Sequence, residues 1–69
     1  MTHLEKLAKD YEVENFFDYI IESQANGNFS QVRELAKELK RNELVRFTAY
    51  ALKYYGEYGR ATVANLSQD

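Results

Sequence analysis

Residues 13–39 read VENFFDYIIESQANGNFSQVRELAKEL, and this stretch decides the fold class. Val13, Phe16, Phe17, Ile20 and Ile21 recur at the spacing that lines apolar side chains along one side of a helix. After Asn26-Gly27-Asn28 the same spacing returns in Val32, Leu35, Ala36 and Leu39. Glycine just past a helix end adopts the left-handed backbone without a Cβ penalty, so Gly27 is the stop of one helix. Asn28 or Ser30 then caps a second helix over 31–41. The chain reverses between them as a helical hairpin.

Toward the N-terminus, Thr2-His3-Leu4-Glu5 matches a reciprocal capping box, which starts a helix at about residue 3. Leu4, Leu7, Ala8 and Tyr11 form its stripe, slightly out of phase with the stripe from Val13. Asp10, Glu12 and Glu14 also suit a second helix N-terminus, so the segment 3–25 reads either as one helix or as two broken near 10–12. Toward the C-terminus, Asn42 caps a third helix over 43–56, with Leu44, Thr48, Ala51, Leu52 and Tyr55 on its inner face. Val45, Phe47 and Tyr58 flank that face. Gly56 and Gly59 read as two helix stops, followed by a short helix over 61–66. No run alternates apolar and polar residues between turn signals. The expected fold is all-α: one domain of three to four helices, an antiparallel hairpin with a third helix packed across it, and no sheet.

The chain has 69 residues, 45% of them hydrophobic and 29% charged, the composition of a folded chain. It has no Cys, which excludes disulfides and thiolate metal sites. No basic segment leads into an apolar run, and no stretch nears the ~20 apolar residues that span a bilayer, so a cytoplasmic protein without membrane association is expected. A core this small seldom supplies more than about 3–5 kcal/mol unaided. Homodimerisation is the expected remedy, with aromatic packing by six Tyr and four Phe as the other.

Net charge is −2, but it is unevenly spread: residues 1–29 hold two bases and six acids, residues 30–60 seven bases and four acids. Asp10, Glu14, Asp18 and Glu22 recur every fourth residue, as do Arg33, Lys37 and Arg41. Glu22 and Arg33, Asp18 and Lys37, and Glu14 and Arg41 lie at matching distances from the hairpin turn, so the expectation is that they pair and set its register. Ile20 would then lie beside Leu35 and Phe16 beside Leu39.

Little chemistry is foreshadowed. His3 is the only histidine and is read as a surface residue near the chain end, with nothing to complete a metal shell or a nucleophilic triad. The carboxylates fall in exposed rows rather than in a desolvated cleft, so no enzyme and no cofactor are expected. Gly56-Glu57-Tyr58-Gly59 has the outline of a backbone-clamping RNA loop, but that module needs a sheet. A helix-turn-helix over 30–50 fails because its second helix opens with Glu43-Leu44-Val45. One surface cluster stands out on the third helix: Arg46, Tyr50 and Lys53 pointing away from the inner face, with Tyr54 at its boundary. Arg and Tyr are enriched at binding hot spots. The expected function is a small non-enzymatic module that binds a protein partner, an inhibitor or adaptor of bacterial or phage type. The alternative is a nucleic-acid-binding regulator, with the two tyrosines stacking bases and the cations on phosphates.

Overall fold

A computed structural model describes residues 2–67 as five helices: α1 His3–Asp10, α2 Phe16–Ala25, α3 Phe29–Ala36, α4 Arg41–Tyr54 and α5 Glu57–Leu66. No strand occurs among the described residues, and the all-α expectation holds with one or two helices more.

Each boundary has a local cause. Thr2 Oγ1 accepts the Glu5 N–H at 3.1 Å and the Glu5 carboxylate accepts the Thr2 N–H at 3.2 Å, the reciprocal cap read from the sequence. The long first segment is two helices. α1 ends at Asp10, Glu12 turns through a left-handed φ of 58°, and Asn15 starts α2 by accepting the Asp18 N–H at 3.2 Å. Gly27, at φ 83°, closes α2 as expected. α3 ends at Ala36 instead of 41. α4 begins at Arg41, where the Glu43 carboxylate, not Asn42, caps the start by accepting the Lys40 N–H at 2.7 Å. Gly56 separates α4 from α5 at φ 55° and ψ −115°, whereas Gly59 is no stop: it lies inside α5, which is a full ten-residue helix.

α2 and α3 form the expected hairpin, α1 packs on α2, and α4 crosses onto α2 and α5. The core is Phe16, Phe17, Ile20 and Ile21 of α2, Val32 and Leu35 of α3, Phe47 and Ala51 of α4, and Leu7 and Ala8 of α1. Each large side chain so buried contributes roughly 1.5–3 kcal/mol. The radius of gyration is 10.9 Å, matching about 11 Å for a compact chain of this length.

α5 touches α2, α3 and α4, and two features admit it. Gly59 lies against the Ala51 backbone so closely that a Cβ there would collide with the Ala51 carbonyl group. Buried Asn65 is then satisfied on every side: its Oδ1 accepts from Arg33 at 2.8 Å, and its Nδ2 donates to Gln24 Oε1 at 3.1 Å and to the Phe29 carbonyl at 3.2 Å.

The charge-paired register does not form. α3 stops before Lys37 and Arg41 can join Arg33 in one row, and other partners take the side chains concerned. Arg33 reaches Asn65, Lys37 lies 3.4 Å from Glu34, and Asp18 accepts from two tyrosines. Among the described residues the one Lys or Arg ion pair is Lys37–Glu34, and His3 meets Glu43 through a hydrogen bond.

His3 is therefore not a free surface residue. Its Nδ1 contacts both Glu43 oxygens, at 2.8 and 3.0 Å, and ties α1 to the start of α4. Burial by itself would push the Glu43 carboxyl up. The Lys40 N–H, the His3 hydrogen bond and the positive charges of His3 and Lys40 together outweigh it and hold the group below its ordinary value. A carboxyl held low in the folded state adds stability above its unfolded pKa and loses it as pH falls through the folded one. Glu43→Gln should thus cost about 1–3 kcal/mol at neutral pH. Urea melts should show that gap shrinking as the pH drops from 7 to about 3.

Candidate functional site

α4 carries the four residues singled out in the sequence, and its rotation about its own axis decides what they do. The buried side is Glu43, Phe47 and Ala51, with Tyr50 and Tyr55 half-buried beside it. This is roughly a quarter-turn from the inner face expected from periodicity, at 100° per residue. Leu44, Val45 and Leu52, expected inward or at the flank, are 37%, 65% and 47% exposed.

Tyr50 consequently turns inward instead of outward. Its ring packs on Phe17 at 5.4 Å and on Tyr54 at 4.8 Å between centroids, while Phe17 meets Phe47 edge-on at 5.3 Å. Its hydroxyl donates to Asp18 Oδ1 at 2.5 Å, and Tyr55 donates to the same oxygen at 2.8 Å. One carboxylate oxygen has two lone pairs and can accept both. The Asp18 hydrogen bond, then burial, then the Asp18 charge raise the pKa of both phenols, so they remain donors throughout the neutral range. Tyr50 is a clamp between α4 and α2.

The other three residues stay on the surface. Tyr54 is 62% exposed, with the Lys53 ammonium 5.3 Å from its ring centroid, a cation–π distance. Arg46 is exposed and edges an open cavity of about 310 Å³ between α4, α1 and α2, where Glu5 and Glu14 also lie. Neither Arg46 nor Lys53 enters an ion pair among the described residues. The patch as built is Arg46, Lys53 and Tyr54, with Tyr50 as its support.

Sequence reasoning missed the apolar row next to these cations. Val45, Ala49 and Leu52 follow each other at i, i+4 and i+7, all exposed. The signal was present in α4 itself, whose apolar residues, tyrosines included, occupy more than half of its circumference. Such a helix is normally covered on both sides.

Among the described residues no group of three or more His, Asp or Glu side chains is placed to hold a metal ion. No helix is long and apolar enough to cross a membrane among the residues searched. No protein-family model, curated protein or solved structure matches the chain.

Proposed function

We propose that the protein is a small non-enzymatic module that binds a protein partner through the exposed side of α4, as an inhibitor or adaptor does. The observation that carries this reading is the pair of exposed features on α4: Tyr54, 62% exposed with the Lys53 ammonium 5.3 Å from its ring centroid, and, on another side of the same helix, the exposed apolar row of Val45, Ala49 and Leu52. Val45, Ala49 and Leu52 are contiguous on one side of the helix, and contiguous exposed apolar side chains edged by polar groups mark interaction sites in folded domains. An aromatic ring held by a neighbouring cation also loses little freedom on docking. The size argument for a homodimer is a separate part of the proposal, and a melting temperature that rises with protein concentration would support it.

The clean probe is Tyr54→Ala, because truncating Tyr50 would also release Asp18. It should weaken partner binding by roughly 1–2 kcal/mol without changing the melting temperature by more than a few degrees. A partner captured from native lysate should survive nuclease treatment and be lost with this variant. Nucleic-acid binding has a different signature: Arg46→Ala and Lys53→Ala would each reduce the slope of log affinity against log salt by about 1. A nuclease-sensitive complex with that salt dependence would replace the protein-binding reading.

A further inference from the structure

We infer that the outward face of α4 receives an acidic amphipathic helix of another protein, an inference that rests on the protein-binding reading above. The apolar part is a row of Val45, Ala49 and Leu52, with Leu44 and Thr48 alongside it at i and i+4. Leu44 also borders a groove of about 410 Å³ in which Leu39 and Leu66 lie together with the charged side chains of Arg33, Glu34 and Lys37. α4 is 14 residues long, about 21 Å, which matches a helical segment of similar length laid along it.

Charge selects the occupant. Arg41 stands at the N-terminal end of the row, Arg46 and Lys53 stand along one edge, and all three are exposed and outside any ion pair among the described residues. The one acid of α4, Glu43, is 5% exposed and turned inward to His3 and the Lys40 N–H. α4 itself thus contributes three cations and no anion to its outward side, with Glu5 and Glu14 of the neighbouring segments sharing only the cavity that Arg46 edges. An apolar stripe with carboxylates on its flanks complements that pattern, as helix-in-groove recognition requires.

A second copy of the chain fits it poorly. Antiparallel two-fold pairing of α4 on itself puts both Arg46–Lys53 rows on the same edge, and parallel pairing puts Arg41 beside its own copy. These like charges would lie within a Debye length. A polyanionic strand or an anionic membrane extends beyond one helix and meets the exposed acids Asp10, Glu12, Glu14 and Glu22 of a chain whose net charge is −2.

The test uses isotope-labelled full-length protein titrated with three synthetic helical peptides of the length of α4. They share one leucine stripe and differ only in flanking residues, which are Glu, Gln or Lys. The Glu peptide should bind at least about tenfold tighter than the Lys peptide at low salt, with amide shifts centred on Val45, Ala49 and Leu52. Arg46→Glu combined with Lys53→Glu should reverse the order. Val45→Asp, at an exposed position, should weaken the Glu peptide about tenfold or more with an otherwise unchanged spectrum. Equal binding of all three peptides on α4 overturns the acidic partner and leaves protein binding standing. No α4 shift with any peptide at millimolar concentration overturns the inference, and concentration-dependent α4 shifts in the free protein do so in favour of a second copy. Shifts on α4 caused instead by a single-stranded oligonucleotide or by anionic phospholipid vesicles overturn both the inference and the reading beneath it.

Discussion

Gly59→Ala is expected to cost at least about 3 kcal/mol, enough to unfold much of a chain whose total stability should be roughly 3–10 kcal/mol. Local preference points the other way, since alanine is the better helix former by about 1 kcal/mol. The added methyl, however, would lie on the carbonyl carbon and oxygen of Ala51, which belong to the α4 backbone and cannot rotate aside. α4 and α5 would have to separate. That separation would also pull Asn65 from Arg33, Gln24 and the Phe29 carbonyl. Gly56→Ala is the control: its Cβ would meet nothing within 4 Å, and only the backbone conformation, φ 55° with ψ −115°, resists it, at about 1–3 kcal/mol. Thermal melts followed by circular dichroism should place Gly59→Ala well below Gly56→Ala. The reverse order would mean that α5 does not dock through Gly59.

Replacing Asp18 should have the next largest effect. Asp18→Ala removes the common acceptor of Tyr50 and Tyr55, two hydrogen bonds to a charged group, at about 2–4 kcal/mol in total once their partial exposure is allowed for. Asp18→Lys should cost at least as much, and adding Lys37→Glu should recover none of it, because Lys37 lies beside Glu34 and not Asp18. Recovery in the double variant would restore the charge-paired hairpin. A second readout is spectroscopic. A phenol whose pKa is raised in the folded state adds stability that is complete below its unfolded value of 10.0 and is lost as pH rises through the folded one. Tyr50 and Tyr55 should therefore ionise late in an alkaline titration of the wild type, and earlier in Asp18→Ala than in the wild type.

The hairpin was legible because its signals are local. Gly27 and the apolar stripes of α2 and α3 depend on near neighbours in the chain, as does the capping pair Thr2 and Glu5 that starts α1. The α1–α2 break was half-legible: the phase slip near Tyr11 was visible, but the cap at Asn15 lies later than the acidic cluster suggested. Gly59 was misread since a glycine that stops a helix and one that admits a neighbouring backbone look alike until the neighbour is present. The salt-bridge register failed for an energetic reason. Exposed ion pairs are worth about 0–1 kcal/mol, too little to compete with two phenols for Asp18 or with a buried amide for Arg33.

The same division runs through the candidate site. By itself the sequence determined that the chain is helical, where it reverses, and that Arg46, Tyr50, Lys53 and Tyr54 share one helix, since periodicity and capping depend on neighbours in the chain. Which side of α4 faces inward was decided only by tertiary structure. Leu44, Val45, Phe47, Ala51 and Leu52 spread over nearly half the circumference of that helix, so its periodicity supports more than one rotation. The choice came from contacts made through tertiary packing: Glu43 reaching His3, Gly59 leaving room for the Ala51 backbone, and Tyr50 with Tyr55 reaching Asp18. Those contacts turned Tyr50 out of the surface patch and left Val45 and Leu52 in it, because Glu43 and the Tyr50 hydroxyl have partners in this rotation and would be costly to bury without them in another.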